Sequence, residues 1–387
     1  MDNYNIKDVA DKISEAIQQE YRELKKLNVM VLGKTGVGKS TLINNMFNEK
    51  MAETGVGKPI TTKMRKIEKK DFPLAIYDTP GLELGGENSM KELISEVTSE
   101  IDRGVKSGDI KEMIHCIWYC VATPSHRFEQ AEIDFLKKFL DETSKFNVPV
   151  ILVLTQSYSK KDAKELKTQI EKENLPIINI VPVLAEDYEI DEDYVVKSYG
   201  LNALSELMYE AIPEEVKKTF VTVQKANLDL KKSKAKAAVK RSATAAAAIG
   251  AAPIPFSDAT VLVPQQIAML ARITTIFGIP LEKATIAAIL GSTIGTSATT
   301  VLGRSVVANI LKFFPGAGSI AGGVISAGTA AAMTAALGES YIVIMMMISR
   351  GDINLDELKT KEGRDLIKKI FKEKLKIKRN KDGEEVE

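Results

Sequence analysis

Residues 33–40 read Gly33-Lys34-Thr35-Gly36-Val37-Gly38-Lys39-Ser40, directly after the apolar run Asn28-Val29-Met30-Val31-Leu32. A G-x-x-x-x-G-K-S octet in that position constrains the fold more than any other feature of the chain. The apolar run must be a buried strand, the glycines a tight turn, and Thr41-Leu42-Ile43-Asn44-Asn45-Met46-Phe47 a helix. Glycines let backbone N–H groups curl around a phosphate, Lys39 offers a point charge to the β- and γ-phosphates, and the Ser40 hydroxyl can ligate Mg²⁺. The octet and Thr41 are therefore the expected binding site of a nucleoside triphosphate.

The following stretch fits such a unit. Between Asn28 and Ile212 short apolar runs alternate with charged stretches of helical spacing, and 28–32, 74–78, 113–122, 149–155 and 177–184 are the candidate strands. Continuous apolar strands separated by helices predict a mostly parallel sheet covered on both faces, with ligands at the strands' carboxyl ends. Residues 61–68 add a candidate edge strand. Ahead of the unit, Val9, Ile13, Ile17, Tyr21 and Leu24 mark an amphipathic helix. The expected organisation is a leading helix in 1–27, an α/β unit in 28–213, a basic helical connector in 214–241, an apolar Gly/Ala-rich all-α domain in 242–350 and a charged helix or tail in 351–387.

A net charge of +1 favours neither DNA nor an acidic substrate as partner. The two cysteines, Cys116 and Cys120, share one apolar run and predict a reducing, cytoplasmic setting without a disulfide framework. The polar start Met1-Asp2-Asn3-Tyr4 shows no signal peptide.

Asp78-Thr79-Pro80-Gly81 closes the apolar run Leu74-Ala75-Ile76-Tyr77, about forty residues beyond the glycine loop. An Asp ending a strand beside that loop can hold Mg²⁺ through water, and the Gly81 amide can sense a γ-phosphate. Between the two motifs lies Pro59-Ile60-Thr61-Thr62-Lys63, in a polar, glycine-containing segment. Thr62, or Thr61 one register away, is expected to bring a hydroxyl to Mg²⁺ only when the γ-phosphate is present, which makes a switch. Lys39, Thr62 and Gly81 are the expected catalytic set, and Ser40, Thr62 and Asp78 the expected metal set.

Together these motifs resemble the Era/septin-like branch of translation-factor-class GTPases, with wording similar to septin-like, AIG1-type and immunity-related GTPases. Further on, His115-Cys116-Ile117-Trp118-Tyr119-Cys120 and Arg127-Phe128-Glu129 are similar to bacterial members with a YcjF-like hydrophobic C-terminal domain. The resemblance implies GTP and GDP as ligands with Mg²⁺, slow GTP hydrolysis and a homodimer through the GTPase domain. Many GTPases place glutamine after D-x-x-G to orient the attacking water; Leu82 stands there and cannot polarise water, so hydrolysis should be slow or partner-assisted. Potassium activation is not expected, because Gly36 occupies the place of the potassium-coordinating Asn.

The N/T-K-x-D element that reads guanine appears as Thr155-Gln156-Ser157-Tyr158, without its Asp. Losing a bidentate base contact should relax discrimination by about 1–3 kcal/mol. Glu186, in Leu184-Ala185-Glu186-Asp187, falls where the family's last base-contacting loop would lie; it is either a replacement acceptor or a solvated carboxylate.

His115, Cys116, Cys120 and His126 offer metal-type donors, but in a strand Cys116 and Cys120 share one face and His115 takes the other, so a structural role is expected. His126 and Arg127, just beyond the strand, lie where a partner subunit or the nucleotide could meet them, and Arg127 is a candidate charge-stabilising finger.

Residues 284–303 and 313–338 are uncharged for twenty or more positions, long enough to span a bilayer. Seven Ser/Thr hydroxyls in the first, and six glycines with Pro315 in the second, dilute their transfer energy. Pro253, Pro255 and Pro264 favour short helices. The cluster Lys231, Lys232, Lys234, Lys236, Lys240 and Arg241 suits either an anionic membrane surface or a solvated helix face. Membrane association and a soluble helical bundle both remain open on this sequence.

Overall fold

The computed structural model describes residues 6–52, 64–79, 87–125, 128–251, 258–294 and 327–381. The chain divides into two compact units, one of residues 24–227 and one of residues 1–23 with 228–387.

The first unit is built on a six-stranded sheet. Its strands are β1 (Leu27–Gly33), β2 (Arg65–Glu68), β3 (Leu74–Asp78), β4 (Cys116–Ala122), β5 (Val150–Thr155) and β6 (Asn179–Pro182), ordered β2-β3-β1-β4-β5-β6. All pairings are parallel except β2 with β3. Every residue of β1, β3 and β5 is buried, as expected of strands covered on both faces. On one face, α3 (Glu87–Ser107), α4 (Gln130–Thr143) and α5 (Lys160–Glu171) pack Val97, Ile101, Leu136, Phe139 and Leu166 onto Met30, Leu32, Ile117 and Leu152. Beyond α2 (Lys39–Met46), Phe47 lies flat against the buried Trp118 of β4, with ring centroids 5.8 Å apart. Helices α6 (Leu201–Ala211) and α7 (Glu214–Val223) complete the unit.

The sequence pattern misjudges three details here. β4 begins at Cys116, because the Asn28 side chain takes the Lys111 and Met113 carbonyls at 2.8 and 2.7 Å and holds them off the ladder. β6 covers only four of the eight residues expected in 177–184. A two-stranded hairpin, β7 (Tyr188–Asp191) with β8 (Tyr194–Val196), rises from the base formed by the Leu184–Tyr199 bridge. Its acidic strand residues hid it, since such residues are rare in strands.

The second unit is all-helical among the described residues. It comprises α1 (Ile6–Arg22), α8 (Leu228–Ala251), α9 (Asp258–Phe277), α10 (Lys283–Ile294), α11 (Ala327–Arg350) and α12 (Lys361–Lys381). α1 buries Val9, Ala10 and Ile13, and salt bridges Arg272–Glu20 (3.1 Å) and Lys283–Asp11 (2.7 Å) tie it to α9 and α10. The leading helix is therefore a member of this unit and stops at Arg22, not a separate segment reaching residue 27. The expected connector 214–241 divides between the units: α7 belongs to the α/β unit, and α8 runs unbroken across residue 242. Residues 351–387 likewise contribute to the helical core through Leu358, Ile367, Ile370 and Phe371.

α8 and α9 pack against α11. A Cβ at Gly338 of α11 would lie 2.5 Å from Val239 Cγ2 of α8 and 3.0 Å from Met269 Sδ of α9, so the small residue permits the approach. Pro264 sits inside α9 and does not end it; the buried Val263, Ile267, Leu270 and Ala271 hold the helix together around the missing N–H. Lys231 is buried, its ammonium donating to the Ile276 and Phe277 carbonyls at 2.8 and 3.1 Å. It caps the end of α9 and is not part of a charged surface. Ala330–Arg350 is long and apolar enough to cross a membrane, yet 67% of its most apolar 18-residue stretch is buried. The expected segments 284–303 and 313–338 have described helix only over 284–294 and 327–338.

Candidate functional site

β1 ends at Gly33, where φ is +143 and an added Cβ would collide with the Cys120 carbonyl of β4. Gly36 and Gly38 take φ +78 and +88, and Gly38 is the residue before the first turn of α2. This conformation, costly for other residues, turns the loop tightly into a helix N-terminus, whose unpaired N–H groups favour an anion.

Lys39 opens α2 and folds back over the loop, donating to the Gly33 carbonyl at 2.8 Å and the Lys34 carbonyl at 3.1 Å. Burial lowers the pKa of its ammonium, with Cys120 and Asp78 opposing the shift. Asp78 is the last residue of β3, paired in register with Val31, and only 6% exposed. The Thr79 hydroxyl donates to the Val31 carbonyl at 3.1 Å and fixes the exit of β3. A half-buried lysine and a buried carboxylate thus interact beside one glycine loop, with Ser40 next to the lysine in the chain. Oxygen donors of this kind fit Mg²⁺, which keeps several waters and prefers carboxylate and phosphate oxygen. Thr61, Thr62, Gly81, Leu82, His126 and Arg127 lie outside the described residues.

Thr155 and Gln156 bond to the glycine loop and also line the cavity beside it. The Thr155 hydroxyl contacts the Val37 and Val121 carbonyls at 2.5 and 3.1 Å, and the Gln156 amide donates to the Gly36 carbonyl at 2.9 Å. They tether the glycine loop to the end of β5. Gln156 adopts φ +51 to do so. Beside them a cavity of about 140 Å³ opens between Gly38–Leu42 and the loop at Val183–Glu186. Glu186 and Tyr158 line it, and the Tyr158 and Tyr188 rings sit 4.0 Å apart at its wall. Burial raises the Tyr158 phenol's pKa, with Tyr188 and the Glu186 carboxylate adding to the shift. Glu186, which the sequence leaves as either a base acceptor or a solvated carboxylate, lines this cavity.

One cluster escaped the sequence reading. Lys34 Nζ lies 3.0 Å from Glu132 and 3.1 Å from Glu129, at the start of α4. Glu132 is 4% exposed and also accepts the Tyr119 hydroxyl at 3.4 Å. Burial raises its carboxyl's pKa against the pull of Lys34. Nothing local in the sequence joins residue 34 to residue 132; only the β1–β4 neighbourhood does.

The three described candidate metal donors, His115, Cys116 and Cys120, have structural roles. Cys116 and Cys120 are free, fully buried thiols that burial pushes up to about 12. His115 Nδ1 accepts the Asn28 N–H at 2.9 Å, so Nε2 carries the proton shared with the Ile110 carbonyl at 2.9 Å. Among the described residues no three His, Cys, Asp or Glu side chains converge.

Residues 28–181 match the family described as 50S ribosome-binding GTPase, the span that contains the glycine loop, Asp78 and the tethering Thr155–Gln156. The chain carries an Era/septin-like GTPase domain. Residues 216–376 match a domain of unknown function, DUF697. Septin-1 of Drosophila melanogaster is 27% identical over 188 residues, covering 43% of this chain and 51% of its own length. GTPase Era of Pseudomonas fluorescens is 27% identical over 191 residues, covering 48% and 55%. Among solved structures, Toc33 from Arabidopsis thaliana in complex with Mg²⁺ and GMPPNP is 18% identical, covers 52% of this chain and 92% of its own, and has a TM-score of 0.32. The chain spans about half the length of the curated relatives it matches. The GTPase domain (G domain) is the α/β unit with its mostly parallel sheet, and the helical unit is the second domain.

Proposed function

We propose that this protein is a Mg²⁺- and GTP-dependent switch with slow hydrolysis, whose helical unit reads out the nucleotide state as membrane association or oligomerisation. The observation that carries it is the assembly of Lys39, Ser40 and Asp78 around a glycine loop of positive φ. Lys39 is held over the loop by carbonyls it can leave for the β- and γ-phosphates. When bound, Mg²⁺ would neutralise charge between the β- and γ-oxygens, held by Ser40, Asp78 and the switch threonine Thr62 or Thr61. Gly81 reports the γ-phosphate through its amide. Leu82 offers no water-orienting group, which supports slow turnover.

Glu186 is the proposed acceptor for the guanine N1–H and 2-amino group, in place of the missing Asp. Tyr158 supplies an apolar face for the base. A homodimer through the G domain, assisting hydrolysis, is part of the same reading.

The readout rests on the exposed Lys236, Lys240 and Arg241 of α8 and the apolar α11. Flotation of the full chain with anionic vesicles, with GDP and with a non-hydrolysable GTP analogue, tests it. Analogue-dependent flotation that Lys236→Glu/Lys240→Glu/Arg241→Glu abolishes supports the membrane output. Protein that stays at the bottom in both states refutes that output. Multiple-turnover hydrolysis, measured separately, tests the enzyme.

A further inference from the structure

We propose that the β7–β8 hairpin is an acidic docking arm that binds the lysine face of α12 on a second copy of this chain. This names a surface for the oligomeric output proposed above. The association itself needs only the arm and the helix; its coupling to nucleotide rests on the base-site reading.

Four of the six large apolar side chains exposed among the described residues lie on the hairpin: Tyr188, Ile190, Tyr194 and Val195, between 41% and 60% exposed. A concentration of this kind on a two-stranded element marks an interaction site more than an ordinary surface. A two-stranded hairpin is also barely stable by itself, so a partner that covers one face stabilises it. The hairpin's charge then selects the partner. Glu186, Asp187, Glu189, Asp191, Glu192 and Asp193 fall within eight residues. Among the described residues, Lys197 paired with Asp187 at 2.8 Å is the recorded ion pair of this group. An arm of that charge repels nucleic acid and anionic lipid and demands a cationic protein surface.

The chain itself carries the complement. α12 buries Ile367, Ile370 and Phe371 and exposes Lys369, Lys372 and Lys376, which recur at intervals of three and four on one stripe. Lys361 lies on the same side, with Asp365 between. The stripe from Lys369 to Lys376 extends about 10 Å at the α-helical rise. The four residues of β7 extend about 13 Å at the strand rise, so lysines and carboxylates can meet over a matched length. The exposed cations of α8, from Lys236 to Arg241, cover about 7 Å by the same rise. Arm and stripe are different surfaces, so each contact leaves one arm and one stripe for reciprocal pairing or for a further copy.

Tyr188 belongs to both the arm and the wall of the base cavity. A base entering beside Tyr158 must therefore be felt at the arm's root. GDP or GTP should change the affinity between copies.

Sedimentation velocity of the full chain at low and high salt tests the contact. The expected result is a weight-average mass that rises with concentration at low salt and collapses at high salt. Asp191→Lys/Glu192→Lys, and separately Lys369→Glu/Lys372→Glu, should each weaken association at least about tenfold through like-charge contacts. Mixing the two variants should restore it, because each then presents an opposite charge to the other. A monomer at every concentration overturns the proposal, as does association that either variant leaves intact, or a mixture that stays dissociated. All four positions are exposed, so nucleotide affinity of each variant, measured at high salt where every chain is monomeric, should equal wild type; a failure of nucleotide binding in wild type would strike the base-site reading and leave the arm's test standing. Association unchanged by nucleotide overturns only the coupling.

Discussion

The bond between His115 and Asn28 predicts how the G domain responds to acid. His115 is 1% exposed, and burial lowers its pKa from 6.5 to about 4, although the Ile110 carbonyl favours the charged ring. Because Nδ1 accepts the Asn28 N–H, a protonated ring would point two N–H groups at each other. The folded pKa lies below the unfolded one, so the unfolded chain binds the extra proton first. The neutral histidine's contribution is fully present above about pH 6.5 and is lost as the pH falls towards about 4. A shift of this size is worth about 3 kcal/mol, of which about 2 kcal/mol is gone by pH 5. The assay is urea unfolding of wild type and His115→Gln at pH 7, 6 and 5. Fluorescence of Trp118, the single tryptophan and a fully buried residue of β4, isolates the G-domain transition. Wild type should start more stable at pH 7 and converge on the variant by about 2 kcal/mol at pH 5. Parallel pH profiles would refute the argument, since His115 would then titrate alike in both states.

Three further outcomes follow from packing and tethering. Gly33→Ala should lower G-domain stability by about 2 kcal/mol or more and abolish nucleotide binding, because the Cβ meets the Cys120 carbonyl; the Trp118 transition and nucleotide titration read both effects. Gln156→Ala should weaken GDP binding about fivefold, the worth of one hydrogen bond to the loop, and move the Trp118 transition by no more than about 1 kcal/mol. Gly338→Ala should destabilise the helical unit by about 1–3 kcal/mol through overpacking against Val239 and Met269. Far-ultraviolet circular dichroism should then show an earlier helical transition, with the Trp118 signal unchanged.

The strands and the phosphate loop were legible because burial on both faces and glycine chemistry act locally. Leu74–Asp78 matches the observed β3 residue for residue. What tertiary contacts decide was not legible. α1 reads as a free amphipathic helix until Arg272 and Lys283 meet its acidic residues. Lys231 reads as one of six cations until the end of α9 claims its ammonium. Thr155 and Gln156 were placed correctly at the end of β5, but their bonds run to the glycine loop, a partner over a hundred residues away. Short strands of acidic residues are equally invisible to apolar periodicity, so the hairpin carrying Tyr188 went unread. Length and hydropathy flagged apolar segments, but among the described residues the span long and apolar enough to cross a membrane is Ala330–Arg350 of α11, largely covered by its neighbours.

Calorimetric titration of the full chain with Mg²⁺ and GTP, GDP or ATP tests the central claim most directly. The account predicts that GTP and GDP bind, that ATP binds at least about tenfold more weakly, a discrimination typical of one bidentate base contact, that Lys39→Ala abolishes binding, and that Glu186→Gln brings ATP and GTP together. Equal affinity for ATP and GTP in wild type, or no heat from any of the three, would contradict it.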